Sequence, residues 1–120
     1  MIETHLGNFE EVILLVTGIL GEEAYAFRIA AEVENQTGRA SSIGAVHSTL
    51  NRLENKGFLT SKFGEPTDVR GGRRKRIYTI TAYGSDILAA SRKFKLSLWK
   101  QYPDFITDSM TFGILKLSRT

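Results

Sequence analysis

The residues best suited to binding a polyanion form one cationic run in the second half of the chain. Five cations fall within seven positions, with two glycines between them: Arg70, Arg73, Arg74, Lys75 and Arg76. Like charges repel, so a cluster of this kind does not stabilise a fold by itself. Arginine suits the narrow, negative minor groove of DNA, and each neutralised phosphate releases counterions. The run therefore indicates contact with a minor groove or its flanking phosphates. The commoner reason for a charge run is a solvated surface.

A second set of small and polar residues is spaced to occupy one face of a helix. Ile43, Val46, Leu50 and Leu53 form its apolar stripe, and the opposite face carries no acid and no large apolar group. Small residues let a surface approach closely, and hydroxyl or guanidinium groups bond phosphates and base edges. We expect this helix to enter a major groove through Ser41, Ser42, Ala45, His47, Ser48, Thr49 and Arg52. A plain solvent-exposed face has the same composition.

The roles along this helix are expected to differ. Base contacts in helix-turn-helix proteins come mainly from the N-terminal part of the recognition helix. Ser42, Ala45, His47, Ser48 and Thr49 are therefore expected to govern specificity. Arg52, which lies later in the helix, is expected to anchor the DNA backbone.

No residue pattern predicts catalysis, a metal site or a cofactor. The chain has no cysteine, and its two histidines, His5 and His47, fall on different expected elements without clustered carboxylates. No glycine-rich phosphate loop or activated nucleophile is present. Glu10 and Glu11 are interpreted as acids at a helix start, where they interact favourably with the helix dipole. The sequence therefore predicts a protein that is not an enzyme and binds no cofactor.

The elements expected to position these residues are four helices and a hairpin. Capping residues, apolar spacing and glycines predict helices from Asn8 to about Leu20, Tyr25–Gln36, and from Ser41 or Ser42 to Lys56. Strands are expected at Phe58–Phe63 and Arg76–Thr81 on either side of a polar loop, and a long helix from Thr81 or Ala82 to about Gln101. This order predicts a mainly α fold with a small β-hairpin, namely a winged helix-turn-helix followed by a long C-terminal dimerisation helix.

The last helix carries an apolar stripe that is too long for one small core. Ile87, Phe94, Leu98 and Tyr102 recur at near-heptad spacing, and Trp99 broadens the stripe. A two-fold partner can cover it, whereas the alternative is packing on the first helix of the same chain. We therefore divide the chain into a DNA-binding domain, residues 1–80, and a dimerisation helix with its tail, residues 81–120. The apolar residues of 104–120 are expected to dock, and they are Phe112, Ile114, Leu115 and Leu117.

Charge and hydropathy agree with a partner that is a polyanion and not a membrane. Residues 1–60 hold four Lys/Arg and eight Asp/Glu, whereas residues 61–120 hold twelve and five. An asymmetry of this kind prompts a search for a nucleic-acid partner. No apolar stretch reaches the ~18 residues that a transmembrane helix needs. With no cysteine to form disulfides, the expected location is the cytoplasm.

Two segments resemble the PadR family of bacterial transcriptional regulators. "SSIGAVHSTLNRLENKGFL", residues 41–59, is similar to that family's recognition helix, and "GGRRKRIYTITAYG", residues 71–84, to its wing and following helix start. The likeness extends over roughly residues 10–90. The family usually has tyrosine and proline where this chain has His47 and Ser48, and often proline at the position of Ile43.

The resemblance implies a homodimeric repressor that binds a palindromic operator in double-stranded DNA. It also implies release by a small apolar or aromatic effector, for which Phe94, Trp99 and Tyr102 at the dimer interface are candidates. Packing of these aromatics within the interface is the alternative to an effector site. The rival function is a winged-helix interaction module whose basic hairpin binds an acidic protein surface.

Overall fold

The computed structural model describes residues 6–65 and 74–103. Within these residues the chain forms four α-helices, one 3₁₀ turn and one antiparallel pair of strands. Their bounds are α1 Asn8–Leu20, the 3₁₀ turn Gly21–Glu23, α2 Ala26–Thr37, α3 Ile43–Asn55, β1 Leu59–Phe63, β2 Arg76–Ile80 and α4 Ala82–Gln101. The predicted mainly α fold with a hairpin is confirmed.

Glycines end three of the helices as expected, and the first of them is Gly21, which follows α1 with φ 57°. Gly38 follows α2 with φ 77°, and Gly57 lies just beyond α3 with φ 84°, a region that favours glycine because it has no Cβ. α1 begins at Asn8, as predicted. Gly7 is the capping residue before it, and the carboxylate of Glu10 accepts a hydrogen bond from the Gly7 backbone N–H at 3.0 Å.

The core is formed by one face of each of the first three helices, by the base of the hairpin and by the start of α4. The start of α4 lies close against the residue before β1, since a Cβ at Gly84 would overlap the carbonyl oxygen of Phe58. Ile87, about one turn later in α4, is buried in the core. The largest fully buried side chains are Ile13, Leu14, Thr17, Ile29, Val46, Thr49, Leu50, Leu53 and Phe58. Phe27, near the start of α2, is mostly exposed.

The hairpin is attached to the helices by backbone hydrogen bonds. β1 and β2 pair in the register Leu59 with Ile80 through Phe63 with Arg76. On the outer edge of β2, the Tyr78 N–H donates to the carbonyl of Ala24, just before α2, at 2.9 Å. At the other side the Phe58 N–H donates to the Leu53 carbonyl in α3, also at 2.9 Å. The hairpin base is therefore attached to the residues that precede α2 and to the end of α3.

The chain divides into two compact units, Met1–Ala90 and Ser91–Thr120. The division falls inside α4, because the first two turns of that helix pack into the first unit through Gly84 and Ile87. The functional division at residue 80 remains a prediction. Ile87, predicted to lie on an intermolecular stripe, needs correction because it is a core residue of the first unit.

In the described part of the second unit, residues 91–103, five large apolar side chains are exposed: Phe94, Leu96, Leu98, Trp99 and Tyr102. The prediction that residues 104–120 dock lies outside the described residues. No helix in the described ranges is long and apolar enough to cross a bilayer.

Candidate nucleic-acid interface

The first turn of α3 is closed by its capping serine. Ser42 precedes the helix in an extended conformation, and its Oγ accepts the backbone N–H of Ala45 at 3.0 Å. Serine is a favoured capping residue because its oxygen satisfies one of the N–H groups that have no partner within the helix. The Ser42 hydroxyl therefore has a structural role already, and Ser41 beside it is half-buried.

The exposed side of α3 has the composition expected of a surface that lies against DNA. All of α3 is described, and none of its exposed residues is acidic: Gly44, Ala45, His47, Ser48, Asn51, Arg52 and Asn55. Small side chains at the helix start leave room for close approach. Asn51 was missed by the sequence prediction, although its position one turn after His47 indicates the same face. Its amide can both donate and accept at a base edge.

Thr49 does not belong to this surface. Its side chain is buried, and its Oγ1 accepts a hydrogen bond from Nη2 of Arg52 at 3.2 Å. The prediction that Thr49 contacts DNA is therefore wrong for the structure as it stands. Its hydroxyl instead helps to hold the Arg52 guanidinium.

Arg52 belongs to a cluster centred on a buried acid. The Glu10 side chain is 10% exposed. Its carboxylate accepts hydrogen bonds from Nε of Arg52 at 3.2 Å and from Nζ of Lys56 at 3.1 Å. Burial alone would raise the pKa of the Glu10 carboxyl. The hydrogen bonds from the Gly7 N–H, Lys56 and Arg52 outweigh burial and hold that pKa below its usual value. Glu10 therefore joins the start of α1 to the second half of α3 as an anion.

This cluster gives Arg52 a structural role besides the phosphate contact expected of it. The guanidinium is not a free cation, because two of its donors are committed to Glu10 and Thr49. Its side chain is nevertheless 53% exposed. A guanidinium has five N–H donors, so the remaining ones are available to a phosphate in an orientation that Glu10 has fixed.

Arg76 was expected among the cations that bind DNA, but it lies in β2 and has intramolecular partners. Its Nε donates to Oγ of Ser61 at 2.9 Å, and its Nη2 donates to Oε1 of Glu54 at 3.2 Å. The guanidinium also lies 5.8 Å from the Phe63 ring centroid and 5.7 Å from that of Tyr78. Two of its five N–H donors are therefore committed within the chain, and direct contact between Arg76 and DNA remains a prediction.

Arg74 and Lys75 directly precede β2, and both are exposed. Nζ of Lys75 lies 4.2 Å from the centroid of the Tyr25 ring, a cation–π contact with the residue that caps α2. Arg70 and Arg73 lie outside the described residues. We refer to β1, β2 and the residues between them as the wing, and to Arg74 and Lys75 as its described cations.

The end of α4 carries an apolar depression of about 390 Å³, lined by Lys95, Leu98, Trp99 and Tyr102. The Trp99 and Tyr102 rings meet edge to face with centroids 5.8 Å apart. Trp99 is 69% exposed, so residues 91–103 leave most of the indole uncovered. Elsewhere in the described ranges, no group of three or more His, Cys, Asp or Glu residues is placed to hold a metal ion.

Several solved structures are similar to this one. RosR of H. salinarum is 26% identical over 89% of each chain, with a TM-score of 0.60. A PadR-like transcription factor from Bacteroides fragilis is 22% identical over 78% of this chain and 84% of that chain, with a TM-score of 0.64. A transcriptional regulator from Clostridium thermocellum is 21% identical over 85% and 99% of the two chains, with a TM-score of 0.63. The last two, at such low identity, support the fold alone.

The family comparison extends over most of the first unit. No curated protein is significantly similar to the chain. The family model described as "Transcriptional regulator PadR-like family" matches residues 15–90, which include the second half of α1, all of α2, α3 and the two strands, and the start of α4. Members of this family are DNA-binding transcriptional regulators and not enzymes. The chain belongs to the PadR-like family of transcriptional regulators.

Proposed function

We propose that this protein is a cytoplasmic repressor that binds a palindromic operator as a homodimer and is released by a small molecule. The observation that carries the DNA-binding proposal is the exposed face of α3. Its first three turns present small residues, the hydroxyl of Ser48, an imidazole and an amide, and no exposed acid. A helix with this composition can enter a major groove without electrostatic repulsion from phosphates.

Within this proposal, α3 and the wing have separate tasks. Ala45, His47, Ser48 and Asn51 face base edges, since they lie in the first three turns, which approach bases most closely in helix-turn-helix proteins. Arg52 donates its remaining N–H groups to a phosphate. The wing cations bind phosphates or an adjacent minor groove, and they contribute affinity with little sequence preference.

The homodimer is supported by the exposed apolar residues of α4. Phe94, Leu98, Trp99 and Tyr102 are each about half exposed or more, and together they exceed what a soluble helix usually leaves in water. A second copy related by a two-fold axis covers the same surface on both chains. Two α3 helices then enter successive major grooves about 34 Å apart.

An effector site is supported by the depression at Trp99. Its lining is apolar apart from Lys95, and aromatic rings favour a flat, apolar or aromatic ligand. Binding there releases the repressor from DNA only if the effector binds more tightly to a dimer arrangement that does not fit the operator. Quenching of Trp99, the chain's one tryptophan, by titrated aromatic compounds tests this part of the proposal.

The DNA-binding proposal is tested by selecting duplexes from a randomised library with the purified full chain. The recovered duplex and a scrambled version are then titrated at several salt concentrations. We expect tighter binding to the recovered duplex, and log affinity that falls linearly with log salt for both duplexes. Failure to enrich any sequence, together with salt-independent binding, would favour the rival function, a module that binds an acidic protein.

A further inference from the structure

Three side chains from three different elements form a closed hydrogen-bonded network at the base of the wing. Oγ of Ser61 in β1 donates to Oε2 of Glu54 in α3 at 2.7 Å. Nε of Arg76 in β2 donates to the same Ser61 oxygen at 2.9 Å, and its Nη2 donates to Oε1 of Glu54 at 3.2 Å. A hydroxyl has one hydrogen to donate and lone pairs to accept, so Ser61 can fill both roles at once.

The network joins both strands of the wing to the last turn of α3. Glu54 lies in the last turn of α3, whereas Arg76 begins β2 directly after the wing cation Lys75. The guanidinium plane is further restrained by the rings of Phe63 and Tyr78. A rotation of the wing relative to α3 must therefore break at least one of the three hydrogen bonds.

The network is expected to contribute little to global stability. The side chains of Glu54 and Arg76 are 27% and 46% exposed, and ion pairs with this much solvent contact are typically weak. The hydrophobic core closes without it, through Phe58, Leu59 and Tyr78. The three bonds join the start of β2, directly after Arg74 and Lys75, to β1 and to the last turn of α3.

We propose that Glu54, Ser61 and Arg76 are positioning residues that set the angle between the wing and the recognition helix. They hold the wing cations where they reach the DNA while α3 occupies the groove. None of the three needs to touch the nucleic acid. This inference rests on the proposed DNA-binding function and adds to it the residues that align its two contact surfaces.

The test is a double-mutant cycle between the network and the wing cations. Ser61→Ala removes the shared hydroxyl without changing the charge of the protein, Ser61→Thr keeps that hydroxyl, and Thr60→Ala deletes an exposed hydroxyl from the same strand as a matched control. Each is measured alone and together with Arg74→Ala plus Lys75→Ala. The probe is the duplex recovered by selection, and every variant is checked by thermal melting.

We expect Ser61→Ala to weaken binding and to make the loss of the wing cations less costly. Residues that act in one network typically depart from additivity by an amount equivalent to about threefold to tenfold in affinity. Ser61→Thr should restore the wild-type affinity, and Thr60→Ala should not change it. Arg76→Lys keeps the charge but loses the two-pronged bond, so it should behave like Ser61→Ala.

Strictly additive effects of Ser61→Ala and the wing substitutions would overturn the inference, as would equal effects of Ser61→Ala and Thr60→Ala. A wild-type protein that shows no salt-dependent binding to the selected duplex would contradict the proposed function itself. The two failures are therefore distinguishable, because only the second removes binding by the wild-type chain.

Discussion

Replacing Glu10 with alanine should lower the free energy of unfolding by about 2 kcal/mol, a large effect for one residue at the edge of a small core. Glu10 is the acceptor for three groups: the Gly7 N–H at the start of α1, and the cations Arg52 and Lys56 of α3. The substitution removes all three bonds at once. It also leaves the first turn of α1 without its capping partner.

The expected loss in free energy of unfolding is the sum of the contributions of these three bonds, each reduced where the side chains are exposed to solvent. A hydrogen bond to a charged group contributes about 1.5–3 kcal/mol when it is buried, and exposed ion pairs contribute at most about 1 kcal/mol. The Arg52 and Lys56 side chains are 53% and 39% exposed, so each bond is nearer the lower range, about 0.5–1 kcal/mol. The lost cap adds about 0.5–1 kcal/mol.

The assay is urea denaturation followed by circular dichroism at pH 7. Glu10→Gln keeps an acceptor but loses the charge, so it should cost about half as much as Glu10→Ala. Glu34→Ala removes an exposed carboxylate from α2 and is the matched control. If Glu10→Ala changes the unfolding free energy no more than Glu34→Ala does, the cluster does not join α1 to α3 as argued.

The same residue gives a pH dependence with a definite sign. The pKa of Glu10 is lower in the folded protein than its usual value of about 4.3. The ionised Glu10 carboxylate therefore contributes fully to the free energy of unfolding when the pH is above that usual value. This contribution is lost as the pH falls toward the lower pKa of the folded protein. The difference in stability between wild type and Glu10→Gln should be constant near neutrality and shrink below about pH 4. A difference that grows on acidification would show that the folded pKa is raised.

Three further predictions concern the dimer, the core and the wing. Phe94→Glu combined with Leu98→Glu should yield monomers in sedimentation experiments, and a persistent dimer would place the interface elsewhere. Gly84→Ala should lower stability by about 2–3 kcal/mol in thermal melts, because its Cβ would meet the Phe58 carbonyl and overpacking is costly; an unchanged midpoint would refute that close approach. Arg74→Ala should reduce the slope of log affinity against log salt by about one on selected and scrambled duplexes alike, and an unchanged slope would remove it from the DNA contact.

Local signals predicted the elements well. The bounds of α3 followed from an apolar stripe, a capping serine and the closing Lys56–Gly57 pair, and the structure places the helix at Ile43–Asn55. Pro103 disfavours helical backbone at the residue before it, and α4 ends at Gln101, as predicted. These features act within one or two turns of the chain, so they can be recognised without knowledge of tertiary packing.

Pairings between distant residues were not predicted, because no local rule specifies them. Glu10 and Lys56 are 46 residues apart, and Glu54 and Arg76 are 22 apart. A signal for Glu10 does exist, since it precedes Ile13, Leu14 and Thr17 at spacings that place it on the buried side of α1. A charge on such a face requires a partner, which is the role of Arg52 and Lys56 in the fold.

The burial of Thr49 could have been predicted from helical geometry. At 100° per residue, Thr49 lies about 40° from Leu53 and about 60° from Val46, which places it at the edge of the apolar stripe, just beyond Leu53. Its hydroxyl suggested DNA contact by residue type, whereas its angle around the helix placed it next to the core. For Arg76, membership of the cationic run suggested DNA contact. The run gave no indication of the hydrogen bond that Arg76 donates from β2 to Glu54.

The central claim is that the exposed face of α3 recognises DNA sequence, and Ser48 tests it most directly. The measurement is the ratio of affinities for the selected and scrambled duplexes at fixed salt, for wild type, Ser48→Ala and Arg52→Ala. Ser85→Ala, which removes an exposed serine from α4, is the control.

We predict that Ser48→Ala loses about 1–3 kcal/mol on the selected duplex and much less on the scrambled one, whereas Arg52→Ala weakens both by similar factors. Ser85→Ala should leave the ratio at the wild-type value. If Ser48→Ala leaves the ratio unchanged while Arg52→Ala abolishes it, the roles along α3 are reversed. If neither substitution changes binding to either duplex, α3 is not the recognition helix.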